Sequence, residues 1–328
     1  MAAKTAKKNN RKQGGAHCSG QVLAAAQEER AAVAALLGGA LVWGLIWYPY
    51  RVLRDAGIDG IAATTATYSV ALLLGLMVGL SFFRRALSQF SPSWMLIWLG
   101  LSAAVSNLGY VLATLNGEVM RVLLLFYLAP LWTVLLSRFL LGERLNRTGF
   151  WVVGLSLAGA ATLLWHPASG LPLPQDGADW LGLVAGFSFA LFNVLSRRTE
   201  QIGIEIKSLA AFTGVIVLGT LLLLTGTGHA HLPDVSSITP SVWLLLGLIG
   251  AVLLVVNLIV QYGLARVSAN RAIVIMLAEV GIAALSSWLL ADEAMGLREA
   301  MGGTMIVAAS LFSAKIESEE NSESLVIP

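Results

Sequence analysis

Apolar runs of helix length, each bounded by charged or turn-forming residues, recur ten times along this chain of 328 residues. They lie at about 32–53, 61–83, 93–115, 119–141, 148–165, 179–197, 206–226, 241–265, 269–291 and 298–315. Each is near the roughly 20 residues that a helix needs to cross a hydrocarbon core of about 30 Å. Within the runs apolar and polar positions do not alternate, so a transmembrane barrel is excluded. The pattern predicts an all-α integral membrane fold with ten transmembrane helices.

Composition agrees, with 57% hydrophobic and 12% charged residues and a mean hydropathy of +0.76. A soluble domain carries about 25% charged residues. The first run is too long and too rich in Trp and Tyr for a cleaved leader, so it reads as a signal anchor. Residues 1–31 ahead of it are polar and basic, a composition that does not fold alone. Residues 316–328 form an acidic tail.

The runs also repeat. A shift of 150 positions puts Arg121 on Arg271, Glu143 on Glu293 and Asn107 on Asn257, without a gap. A weaker match at an offset of 146 sets Gly44 on Ala190, Trp47 on Asn193 and Arg51 on Arg197. The expected units are 32–166 and 179–315, joined by an external linker at 167–178. Five crossings per unit is an odd number, so the second copy enters the membrane from the opposite face. Such inverted repeats are typical of secondary transporters, which expose a midplane site to each side in turn.

Charge placement supplies the orientation. With the N-terminus inside, sixteen Lys and Arg fall on the cytoplasmic side and four, Arg51, Arg54, Arg121 and Arg298, on the other. Arg138 is left near an inner helix end. This bias predicts that both termini are cytoplasmic. The basic tail is read as an orientation signal, so no nucleic-acid partner is expected.

One acidic residue stands apart. Glu279 lies eight residues past Arg271, roughly 12 Å along a helix, which places it near mid-membrane. A carboxylate at that depth is protonated, paired, or facing a wet cavity. It is therefore either a coupling site that takes up and releases a proton as the cavity alternates, or a structural group satisfied by a polar neighbour. Asn107, Asn257 and Gln261 are amides at similar depth, which act either as interhelical glue or as a polar lining. Trp43, Trp47, Tyr110 and Tyr127 add aromatic surface suited to a planar or apolar group. Tyr50 falls where an interfacial aromatic belt is expected. Together with Asn193, the carboxylate, the amides and the four aromatics form the candidate substrate-binding set.

Around this set, Arg121 and Arg271 begin the fourth and ninth runs, where arginines snorkel or gate. Glu143 and Glu293 close those runs at the unfavourable end of the helix dipole, so each should have a partner. Arg144, Arg147 and Arg298 are near enough in sequence to serve. Gly154 with Ala158, Gly75 with Gly79, and Gly182 with Gly186 have the spacing that lets helices approach closely.

Other chemistries find little support. His17, His166, His229 and His231 lie outside the runs, and no aspartate is expected in a span, so serine-histidine, paired-aspartate and zinc catalysis are not expected. His229 and His231 lack a third metal ligand nearby, and the single Cys18 cannot form an intrachain disulfide. There is no GxxxxGK[ST] loop for ATP and no selectivity-filter run. No enzyme activity, cofactor or metal is expected.

The stretch PLWTVLLSRFLLGERL, with Pro130 thirteen residues before Glu143, resembles the EamA-type repeat of the drug/metabolite transporter superfamily. The second copy resembles it at Glu279, at Asp292-Glu293 and at the small-residue helix GGTMIVAASL, with Val280 where the family has proline. The resemblance covers about residues 33–315. It implies an inner-membrane exporter or exchanger of small metabolites, with helices 1–4 and 6–9 lining a central cavity and helices 5 and 10 outside it. Without a proline at 280 the backbone bond is available, which predicts a straighter ninth helix. FYLAPLW at 126–132 is similar to the corresponding helix of aromatic amino-acid exporters, whereas VWG at 42–44 fits the general family.

The expected function is efflux of a small metabolite such as an amino acid by alternating access, with proton linkage as one form of coupling. The alternatives are a non-transporting membrane sensor or scaffold, and a carrier exchanging phosphorylated or nucleotide-type metabolites. The expected partners are a small-molecule substrate and the lipid bilayer, with a homodimer left open.

Overall fold

The computed structural model describes residues 27–88, 93–142, 147–165, 173–199, 201–226, 238–264, 266–267, 275–293 and 295–324, without the side chains of 78–88, 148, 264 and 313–324. The architecture is all-helical. In chain order the helices are α1 (Gln27–Asp55), α2 (Gly60–Ser88), α3 (Trp94–Asn116), α4 (Val119–Leu140), α5 (Arg147–Leu164), α6 (Gly177–Arg198), α7 (Ile204–Thr225), α8 (Pro240–Leu264), α9 (Ala278–Ala291) and α10 (Leu297–Ser324). Seven helices among the described residues are long and apolar enough to cross a membrane, and two shorter apolar helices are Gly149–Leu164 and Ala278–Ala291.

Helix ends follow local chemistry. Ser93 caps α3 by accepting from the Met95 N–H at 3.3 Å. Asp176 caps α6 by accepting from the Asp179 N–H at 2.8 Å. Both side chains satisfy a backbone donor that the first helical turn leaves free. Helix α7 ends at Gly226, whose φ of 62° lies in the left-handed region. Glycine tolerates that conformation without a Cβ penalty.

Two apolar clusters build the interior. One joins the end of α1 to α2, α3, α7 and α8 through Tyr50, Leu53, Tyr68, Leu108, Phe212 and Leu253. The other joins α4, α5, α9 and α10 through Leu123, Leu125, Leu128, Leu163, Ala283 and Ile306. Tyr110 on α3 packs against both.

Close approaches depend on glycine at two crossings. A Cβ on Gly214 of α7 would lie 2.2 Å from the Gly100 carbonyl oxygen of α3. On Gly159 of α5 it would lie 2.8 Å from the Gly302 carbonyl oxygen of α10. Of the small-residue pairs picked out in the sequence, Gly182 and Gly186 do face backbone, that of α4. Gly154 has nothing within 4 Å of its would-be Cβ, and Gly75 makes only an ordinary contact with Leu254 at 3.4 Å.

Candidate transport site

Breaks in two helices create the polar centre. Helix α4 is interrupted by a turn at Tyr127 and Leu128, just before Pro130. Proline has no N–H to give the Phe126 carbonyl, and its ring would clash with that carbonyl in a continuous helix. The Leu128 N–H accordingly bonds the Leu125 carbonyl at 3.2 Å. Such a bond, to the third residue back, tightens the turn. Helix α1 likewise turns at Ile46, just before Pro49.

Helix α9 is broken too, contrary to the straighter helix expected from Val280. Residues 275–276 are helical, Leu277 is a turn, and the Val280 N–H bonds the Leu277 carbonyl at 3.1 Å. The N–H that proline would lack is present here but is directed three residues back instead of four. Glu279 therefore sits in the first turn of a restarted helix, where the dipole favours a carboxylate.

The breaks at Tyr127 and at Leu277 meet. The Tyr127 hydroxyl donates to Glu279 Oε2 at 3.1 Å, and both side chains are half-buried. Around them Tyr110 and Phe126 stack edge-to-face with centroids 5.4 Å apart, Phe126 lies 5.2 Å from Phe189 of α6, and Trp132 lies 5.5 Å from Phe187. Among the described residues the buried Tyr110 hydroxyl and Trp132 indole N–H have no hydrogen-bond partner. Buried polar groups are normally paired, so these two stand out.

Backbone fit tightens the surroundings. A Cβ on Gly186 would fall 2.5 Å from the Phe126 carbonyl oxygen, the one Pro130 leaves without its helical donor. On Gly44 of α1 it would fall 3.0 Å from the Glu279 carbonyl oxygen and 2.8 Å from Ile282. One turn on, the Trp47 indole N–H donates to Ser286 Oγ at 3.1 Å, and Ser286 donates to the Gly44 carbonyl at 3.2 Å. Trp47 is thereby wedged between α1 and α9 at 1% exposure. Trp43 is half-buried against the first cluster, and Asn193 is half-buried on α6.

The three candidate amides are each tied to a different element. Asn107 accepts from the Tyr68 hydroxyl of α2 and donates to the Ala103 carbonyl at 2.8 Å. Asn257 donates to its own helix at Leu253, 2.9 Å away. Gln261 donates to Ser208 of α7 at 3.5 Å.

At the end where α3 finishes, arginines gather. Arg51 pairs with Glu293 Oε1 at 3.0 Å and donates to the carbonyls of Thr114 and Gly117, each at 3.0 Å. Glu293 Oε2 accepts the Val119 N–H at 2.7 Å and so caps the start of α4. Arg121 grips Asp179 through two bonds of 2.7 and 2.8 Å. Arg298 donates to the Trp165 carbonyl at 3.0 Å.

The EamA-like transporter family matches residues 30–165 and again 177–314. The chain belongs to that family. It is 30% identical to protein RarD of Streptomyces exfoliatus over 183 residues, 55% of either chain, so this match spans about half of that relative. An uncharacterized transporter of Archaeoglobus fulgidus is 26% identical over 264 residues, covering 80% of this chain and 89% of the relative. The uncharacterized transporter YojE of Bacillus subtilis is 23% identical over 219 residues, 64% and 68% of the two chains. A solved crystal structure shares the fold, with a TM-score of 0.56 and 18% identity over 87% of this chain and 98% of that one. The chain is thus a multi-pass membrane protein of an EamA-like transporter family, built from two EamA repeats.

Several expectations change within this EamA fold. Glu293 pairs with Arg51 and a backbone N–H, not with Arg298. Tyr50 is 2% exposed and bonded to Thr67 at 2.8 Å, because it faces α2 and not the lipid interface. Asp179 is 1% exposed in the first turn of a membrane-length helix, so an aspartate does lie at a span edge, neutralised by Arg121. Sequence reasoning misses Arg51 and Asp179 as pairing groups because Arg51 counts there only as an outer-side charge and Asp179 stands at the very start of its run. Arg271, Glu143, Arg144, His17, His166, His229, His231 and Cys18 lie outside the described residues. Among the described residues no group of three His, Cys, Asp or Glu could hold a metal ion.

Proposed function

We propose that this EamA protein is a secondary transporter that exports a small metabolite such as an amino acid by alternating access, linked to protons through Glu279. In this reading all ten helices cross the bacterial inner membrane as two inverted five-helix repeats, with both termini in the cytoplasm. The observation that carries it is the Tyr127–Glu279 bond, which joins the broken helix of one repeat to the broken helix of the other. Secondary transporters commonly bind substrate and coupling ion where discontinuous helices meet at the repeat interface. A carboxylate at lipid depth is tolerated when neutral or paired, so proton and substrate can compete for it.

The substrate site in this proposal centres on Glu279, Tyr127 and Tyr110. The free Tyr110 hydroxyl is a donor suited to a polar group, and Phe126 and Phe189 offer a face for an apolar one. Trp43 and Asn193 flank this centre, and Asn107, Asn257 and Gln261 extend its polar side. Trp47 sets the packing of α1 on α9 that brings Glu279 to the centre.

Flux of labelled amino acids into and out of proteoliposomes, with and without a pH gradient, tests the reading. At least one solute should move, faster when the gradient opposes it with protons. A folded protein that moves none under either condition would favour the sensor or scaffold reading.

A further inference from the structure

Three arginines at one end of the bundle share a property that their positions in the chain do not reveal. Arg51 bonds Glu293, Arg121 bonds Asp179, and Arg298 bonds the Trp165 carbonyl, and each of these bonds runs from one repeat to the other. Glu293 adds a fourth tie by capping Val119.

We propose that the Arg51–Glu293 pair, seconded by Arg121–Asp179, is a gate that holds one mouth of the transport pathway shut. The inference rests on the carrier reading above. Arg51 is anchored on the C-terminal carbonyls of α3 at Thr114 and Gly117, the end of a helix where a cation is favoured. Its guanidinium also lies 4.8 Å from the Trp47 ring. That cation–π contact fixes its direction. Glu293 spends one oxygen on Arg51 and the other on the Val119 N–H. The carboxylate is therefore satisfied by partners on the opposite repeat, and separation of the repeats at this end breaks these bonds together.

Packing supports closure at the same place. A Cβ on Gly117 would lie 2.5 Å from Ala178 Cβ, so the α3–α4 connection of the first repeat touches the start of α6 in the second. Beside it Glu118, Arg121, Asp179, Glu293 and Arg298 line a cavity of about 500 Å³.

The gate is also mechanically joined to the site. Val119 and Tyr127 are eight residues apart on α4, and Glu279 and Glu293 fourteen apart on and just after α9. Those intervals are about 12 and about 21 Å along a helix. The same two helices hold the Glu293–Val119 contact at the mouth and the Tyr127–Glu279 contact in the middle. Parting them at the mouth therefore loads the bond at the site, which couples opening to occupancy of Glu279.

The test uses the full chain with Cys18→Ala and a reporter, Tyr110→Cys, labelled by a membrane-impermeant maleimide from each face in turn. With the gate intact, labelling from the Arg51 face should be slow. Glu293→Gln, which keeps an acceptor for Val119 but loses the ion pair, should speed it roughly tenfold, and Arg51→Lys by less. A second arm joins Arg51→Cys to Glu293→Cys with a short bis-maleimide in the Cys18→Ala chain that retains Tyr110. Cross-linked protein should lose at least roughly tenfold in flux relative to the same protein left unlinked. Unchanged labelling in Glu293→Gln, or full flux with the cross-link formed, would overturn the gate while leaving the carrier reading intact. Faster labelling in the Glu293→Gln reporter, together with no solute moved by the chain that retains Tyr110, would uphold the closure and overturn the carrier reading instead.

Discussion

Tyr127 and Glu279, 152 residues apart in sequence, share a hydrogen bond of 3.1 Å at the point where two interrupted helices from different repeats meet. Neither interruption alone makes a site. Together they put a phenol, a carboxylate and the backbone ends of broken helices within one small region.

Tyr127→Phe keeps the ring and its packing but removes the donor from Glu279. A buried acceptor left without its donor costs about 1–3 kcal/mol. Purified protein should remain folded, with a thermal midpoint within a few degrees of wild type, while flux falls about tenfold, since roughly 1.4 kcal/mol is a factor of ten. Normal flux in this variant would show that the bond is structural.

Gly186 and Gly154 make a matched pair. A Cβ at 186 would meet the Phe126 carbonyl oxygen at 2.5 Å, whereas one at 154 meets nothing within 4 Å. Gly186→Ala should therefore lower stability by about 1–3 kcal/mol through overpacking. Gly154→Ala should be neutral or raise it by up to about 1 kcal/mol, the usual gain in a helix interior. Denaturation in the same detergent compares the two, and equal effects would contradict the close α4–α6 contact.

Trp47 separates packing from lining. Its indole N–H is committed to Ser286 and its ring is buried. Trp47→Ala should therefore cost about 3–5 kcal/mol, as large core truncations do. Trp47→Phe should cost less and leave the apparent affinity for substrate unchanged, measured by concentration-dependent uptake. A change in affinity with no loss of stability would move Trp47 into the substrate path.

Tyr68 and Asn107 act as one unit because the phenol donates to the amide oxygen. Tyr68→Phe and Asn107→Ala should be non-additive in stability by about 0.5–3 kcal/mol. Thermal denaturation of the two single variants and the double variant measures this. Simple additivity would show that the phenol and the amide act independently.

Much of this architecture is legible in the sequence, for identifiable reasons. Hydrophobic runs report long apolar helices directly, so most helices fall within a few residues of where the pattern puts them, although α10 continues to Ser324, past the end of its apolar run. The 150-residue shift exposes the relation between Arg121 and Arg271, and Glu279 stands out because a carboxylate in an apolar run is rare. Contacts between the repeats are what the sequence hides. Arg51 and Glu293 are 242 residues apart, and nothing in the neighbourhood of either names the other. Asp179 is the first residue of its run, and only the fold brings Arg121 to it. The break in α9 escapes any reading that makes proline its sole cause, since the backbone tightens at Leu277 without one.

Proton-linked flux through Glu279→Gln is the most direct measurement of the central claim. In proteoliposomes the wild-type protein should accelerate export of its solute when a pH gradient is imposed. The variant, inserted and folded to the same extent, should show no response to the gradient and little net flux. A variant that responds to the gradient as the wild type does would contradict the role given to Glu279.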